Sequence, residues 1–221
     1  MTAANQKGDG TSTVRARRIA SLGRRSFMAG VAGSVAVAMA SQAFRMQAHA
    51  YEIAMTEGLR ALAPREASTF EAIAARIWPG SEDDPGAREG GAVYFLDTQL
   101  AGRYADDLTF YKHGLELIDV AAQARHEQNF SSLSEEDQDA LLSALENDDV
   151  EEFDWPSGAE FFERCRTHTL QGMFADPIHG GNRDFHGWRA VGYPGAHYVY
   201  SEAEQQSFEP LDKPLQSVAD L

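Results

Sequence analysis

Apolar side chains recur at intervals of three and four through most of this chain, and nowhere in the sustained alternation that a half-buried strand requires. Phe70, Ile73, Ala74 and Ile77 share one helical face, and Trp78-Pro79-Gly80 ends that helix. An acidic, turn-rich stretch follows at residues 81–86. Gly90-Gly91 then precedes a second apolar segment over residues 92–100, closed by Gly102. Leu108, Tyr111, Leu115, Ile118 and Ala122 mark a longer third helix, with Asp106 and Asp107 at its positive end. Ser134-Glu135-Glu136-Asp137 reads as a capping box with Asp where Glu or Gln is usual, and Leu141, Leu142 and Leu145 supply the buried stripe behind it. After the break at Trp155-Pro156-Ser157-Gly158, Phe161, Phe162, Cys165, Thr169 and Met173 define a fifth helix.

The pattern changes at Asp176. Glycines and prolines from Asp176-Pro177 to Pro194-Gly195 forbid a long helix, while Phe185, Trp188, Tyr193, Tyr198 and Tyr200 need something to pack against. The expectation is an all-α protein of about five helices packed as one domain over residues 51–200. A long aromatic, Gly-rich C-terminal loop wraps it, and an acidic, Pro-containing tail over residues 201–221 is mobile or partner-bound.

Residues 1–50 stand apart from that fold. They hold seven of the nineteen basic residues and one acid, and they run from Gly23-Arg24-Arg25-Ser26-Phe27-Met28 through a weakly apolar stretch to Ala48-His49-Ala50. A basic region, a short apolar region and an Ala-x-Ala site make a cleavable export signal. The apolar run is too short to favour a permanent membrane span. The paired Arg24 and Arg25 before a mildly hydrophobic stretch point to the twin-arginine route, which moves proteins already folded. Cleavage after Ala50 leaves twelve basic and thirty-three acidic residues, a net charge of −21. Such a surface repels nucleic acid, whose binding needs the opposite sign.

Residues that could carry chemistry are few. No Gly-rich dinucleotide fingerprint is present, and the single cysteine, Cys165, leaves no set of thiols for haem c attachment, Fe–S clusters or structural zinc. A lone cysteine in an exported chain is either a buried thiol or half of a disulfide to another chain. His179 and His186, with Asp176 and Asp184 near them, are either a metal or acid/base site or polar loop residues that satisfy turns. His168 borders an apolar stripe and reads as an interhelical hydrogen-bonding residue, whereas His113 and His126 read as solvent-facing. The sequence itself assigns no catalytic, cofactor-binding or metal-ligating residue.

Residues 172–184, Gly-Met-Phe-Ala-Asp-Pro-Ile-His-Gly-Gly-Asn-Arg-Asp, followed by Gly187-Trp188 and Gly192-Tyr193-Pro194-Gly195, resemble the signature of the gluconate 2-dehydrogenase subunit 3 family. The segment from Phe70 to Pro79 is similar to that family's opening helix, and the resemblance covers residues 65–195. His179 stands where the family pattern has an aromatic, usually Tyr. The resemblance implies a small, non-catalytic subunit without a cofactor of its own. Its partners would be a large FAD-containing subunit, which does the chemistry, and a multihaem cytochrome c, which passes electrons to the membrane quinone pool. It also implies that the small subunit's twin-arginine signal takes the signal-less flavin subunit through the translocase to the periplasm, with membrane attachment borrowed from the cytochrome. On this reading Asp176, Gly180, Gly181, Asn182, Arg183, Phe185, Trp188 and Tyr193 form the partner interface, and Cys165 is the residue for an intersubunit disulfide. The readings from other classes are an independent periplasmic binding module, or a metal-dependent enzyme built on His179 and His186.

Overall fold

The computed structural model describes residues 58–221, apart from 82, 208, 210 and 212. The segment read as an export signal, with Arg24 and Arg25, therefore lies outside the described residues. Within them the fold is all-α and without strands. Five longer helices are α1 (Pro64–Ile77), α2 (Ala92–Leu100), α3 (Leu108–His126), α4 (Glu135–Glu146) and α5 (Gly158–Phe174). Two five-residue helices, α6 (His186–Ala190) and α7 (Glu202–Gln206), follow in the C-terminal part.

Local chemistry sets the start of four of the five long helices. Pro64 opens α1, and the Glu66 carboxylate accepts the Ala63 N–H at 2.7 Å. Gly91, in the left-handed region at φ 70°, turns the chain into α2. Ser134 Oγ caps α4 by accepting the Asp137 N–H at 3.2 Å. The Asp137 carboxylate is one methylene short of Glu and meets the Ser134 hydroxyl at 2.7 Å. The reciprocal half of a capping box is therefore replaced by a side-chain pair. Ser157 caps α5 in the same manner, through the Glu160 N–H.

The buried stripes interlock as one core. Phe70 and Ile73 of α1, Leu96 of α2, Tyr111, Leu115 and Ile118 of α3, Leu145 of α4, and Phe161 and Met173 of α5 are all fully buried. Helix α5 packs along α2 and α4, while α1 touches α2, α3, α4 and α5. Gly114 lets Phe161 lie against α3, since a Cβ there would stand 2.2 Å from the ring. Two buried carboxylates fasten loops to this core. Asp97 accepts the backbone N–H groups of Arg60, Ala61 and Leu62 at 2.7–2.9 Å. Asp119 accepts the Phe130 N–H at 2.9 Å and pairs with Arg65. Charge-assisted bonds of this kind offset the cost of removing a carboxylate from water. None of the helices among the described residues is long and apolar enough to cross a membrane.

The tail departs from expectation. Rather than forming a separate segment, it returns to the end of α5. Ala196 N–H donates to the Gln216 carbonyl at 2.8 Å, and Gln216 Nε2 donates back to the Ala196 carbonyl at 2.9 Å. Lys213 reaches the Val199 carbonyl at 3.0 Å and the Glu204 carboxylate at 2.9 Å. The boundary placed at residue 200 is therefore not a boundary between independent parts. The Ser201/Glu204 and Ser217/Asp220 capping boxes order the segment locally.

Candidate functional site

The motif after α5 is built by backbone approach and a few polar atoms. Asp176 Oδ1 accepts the Ile178 N–H at 3.1 Å and starts a 3₁₀ turn over Pro177–His179. Gly180, at φ 98°, ends that turn and sends the chain back along α5. Asn182, fully buried, then closes the loop. Its N–H donates to the Gly172 carbonyl at 2.7 Å, its Nδ2 donates to the Ala175 carbonyl at 3.0 Å, and its Oδ1 accepts the Gly187 N–H at 2.9 Å. The approach leaves no room for side chains. A Cβ on Gly181 would lie 2.2 Å from the Gly172 carbonyl oxygen, and one on Gly187 would lie 1.8 Å from that of Met173. Asn182, Asp184 and Phe185 all take positive φ, between 47° and 59°, a conformation that non-glycine residues hold only when their surroundings fix it.

Trp188 is the hub of this motif and faces inward. It is 5 % exposed, its indole N–H donates to the Phe174 carbonyl at 2.8 Å, Phe185 stacks on it at 5.4 Å, and Tyr193 meets it edge-on at 4.9 Å. Of the residues expected to form the partner interface, Gly181, Asn182 and Trp188 are buried within this chain and shape the motif instead of presenting it. Asp176, Gly180 and Phe185 are half-buried. Arg183 and Tyr193 remain at the surface. Arg183 also holds the motif to the start of α2: its N–H donates to the Gly90 carbonyl at 3.0 Å, and its guanidinium lies 3.6 Å over the Tyr94 ring.

Around Trp188 the surface opens into a groove of about 570 Å³ lined by Phe174, Asp176, Trp188, Val191, Tyr193, Ala196 and Val218. Large apolar side chains concentrate on this part of the chain. Nine are exposed among the described residues, and seven of them lie between Ile178 and Leu221, including Val191, Tyr193 and Val218 at the groove. Residues 176–200 carry two acids and two arginines, while residues 201–221, which supply Val218 to the groove, add five acids and one lysine. A groove lined mainly by apolar side chains, with further exposed apolar residues beside it, is the kind of surface on which proteins associate.

The titratable groups sort by burial. Burial works against the charged form of Asp176, but hydrogen bonds from Ser217, Val218 and Ile178 outweigh it and hold the carboxyl below its ordinary range. Glu71, on the buried face of α1, is pushed up to about 7 by burial, opposed by Arg88 and Arg183 and reinforced by Glu89. His179 is exposed and His186 half-buried. Among the described residues no group of three or more His, Cys, Asp and Glu side chains is placed to hold a metal ion. His168 does bond between helices, its Nδ1 meeting the Tyr111 hydroxyl at 2.5 Å. His113 and His126 are only partly solvent-facing, because His113 stacks on Trp155 at 5.9 Å and His126 lies 3.8 Å from Asp137. Cys165 is fully buried, and burial raises its thiol far above the ordinary value. A disulfide to another chain needs the sulfur at the surface, so of the two fates open to a lone cysteine the structure favours the buried thiol.

Sequence reasoning missed Glu71, Val191 and the returning Ser217 and Val218. Glu71 falls in phase with the buried face and could have been found as an acid in an apolar stripe; the Ser-x-x-Asp spacing at 217–220 could have signalled an ordered terminus. The model of a family described as gluconate 2-dehydrogenase subunit 3 matches residues 64–195, from the first residue of α1 to the last glycine of the motif. No curated protein matches the chain, and no solved structure does.

Proposed function

The chain belongs to the gluconate 2-dehydrogenase subunit 3 family, and from that premise we propose that it is the small, non-catalytic subunit of a periplasm-facing FAD-dependent dehydrogenase acting on gluconate or a related sugar. It docks on the large flavin subunit through the groove beside Trp188. The FAD stays in that partner, and a multihaem cytochrome c subunit supplies electron exit and membrane attachment. The twin arginines at 24 and 25 take the folded pair through the translocase, so the flavin subunit needs no signal of its own.

One observation carries this reading within the chain. Exposed large apolar side chains concentrate from the family motif to the C-terminus, and three of them, Val191, Tyr193 and Val218, line the groove beside Trp188. The inward residues (Gly181, Asn182 and Trp188) build the platform, and Val191, Tyr193 and Val218 meet the partner. Anchors of this type contribute most of an interface's energy when a partner excludes water from them.

Affinity purification of the tagged chain from native envelopes tests the assembly. The expected result is a co-purifying flavoprotein with flavin absorbance; a colourless single chain overturns the reading. Replacing Arg24 and Arg25 with Lys separates export from docking. Both proteins then remain in the cytoplasm, still bound to one another.

A further inference from the structure

The family match stops at residue 195, yet both ends of the matched motif are occupied by residues beyond it. At one end the Asp176 carboxylate accepts the Ser217 hydroxyl at 2.5 Å and the Val218 N–H at 2.9 Å. At the other, the Gly195–Ala196 backbone lies so close to Gln216 that a Cβ on Gly195 would stand 2.7 Å from the Gln216 carbonyl oxygen. The two Ala196–Gln216 hydrogen bonds, at 2.8 and 2.9 Å, close that contact. Ser217 is buried at 6 % exposure, while Val218 is half exposed and forms part of the groove wall.

We propose that residues 215–221 are a built-in strap that completes the docking groove, so that the partner subunit is met by the motif and the strap together. The strap is a wall and not a cover. Val218 lines the groove without filling it, and the polar latch to Asp176 spans 41 residues of sequence with the carboxylate already committed to a turn of its own. A charged acceptor shared between the motif's first turn and the strap couples the two, since loosening either leaves the carboxylate with fewer donors. This inference rests on the assembly proposed above and adds which part of the chain forms the partner's seat.

The test uses the full chain co-expressed with its flavin subunit, beside the double variant Gln216→Ala/Ser217→Ala, which removes the strap's side-chain bonds to Asp176 and Ala196 and alters no residue of the matched motif. Asp176→Ala serves as a second, stronger variant. Hydrogen exchange at the Ala196 and Val218 amides reports whether the strap is seated, and flavin absorbance in the purified complex reports docking. The double variant is expected to lose protection at Ala196 and Val218, keep its melting temperature, and recover about tenfold less flavoprotein. Unchanged recovery with lost protection overturns the proposal, as does reduced recovery with protection intact. Increased recovery overturns it too, and marks the strap as a cover that the partner displaces. If the unaltered chain captures no flavoprotein, the assembly reading fails first, and the inference falls with it.

Discussion

The helical core and the C-terminal motif of this molecule are held by different means. In the core, Phe70, Tyr111, Leu115 and Phe161 are fully buried on three different helices. No single hydrogen bond decides that arrangement, because the stabilisation is spread over apolar area. In the motif, one asparagine makes four hydrogen bonds, one tryptophan fills the interior, and two glycines press against the carbonyls of α5. Area holds the core together; shape and a few polar atoms hold the motif. The lesson is that the core can be varied conservatively without changing what it presents, whereas the motif is a device for setting a surface.

Three substitutions probe that contrast, ordered by expected effect. Phe161→Ala removes a fully buried ring that meets Phe110, Tyr111 and Phe153, and is expected to cost about 3–5 kcal/mol in global unfolding by denaturant. Equal loosening of core and motif should follow, since the motif stands on α5. Gly187→Ala drives a methyl into the Met173 carbonyl and is expected to cost about 1–3 kcal/mol. Its signature is local: faster hydrogen exchange over residues 180–195 while α3 and α4 keep their protection. Uniform loss across the molecule would break the distinction between the two regions.

The smallest effect has a sign set by pH. Glu71 binds its proton more tightly folded than unfolded, its folded value being about 7. Between the ordinary carboxylate range and that value the folded state holds more protons, so this group's contribution to stability falls as pH rises and levels off above it. Glu71→Gln removes that penalty and is expected to stabilise the protein above pH 7, relative to its effect near pH 4, by on the order of 2 kcal/mol. Melting curves of both proteins across this range check it. A variant that is less stable at high pH would show that the attraction of Arg88, 3.5 Å away, dominates burial.

The core was legible in the sequence because helical burial repeats: Phe70, Ile73 and Ala74 of α1 and Leu141, Leu142 and Leu145 of α4 are buried where their spacing placed them. The cap at Ser134 was legible for the same local reason, whereas Ser157, read only as part of a break, caps a helix that already begins at Gly158. The motif was legible only as a set of residue types. That Trp188 turns inward depends on the Phe174 carbonyl, and that residues 216–218 return depends on Asp176, partners set by the fold and not by periodicity. The buried Asp97, which gathers three N–H groups from a loop more than thirty residues away, left no local trace either.

Two exposed valines offer the most direct test of the central claim that the motif, and not the helical body, is the docking face. Val191 borders the groove at 58 % exposure, and Val120 lies on α3 at 47 %. Each is changed to Asp in the full chain, and the flavoprotein that co-purifies is measured by its absorbance. Because both sites are open to solvent, both variants should melt with the parent protein. Val191→Asp is expected to reduce the recovered flavoprotein about tenfold and Val120→Asp to leave it unchanged. Equal recovery with both variants, or a loss with Val120→Asp alone, would contradict the account.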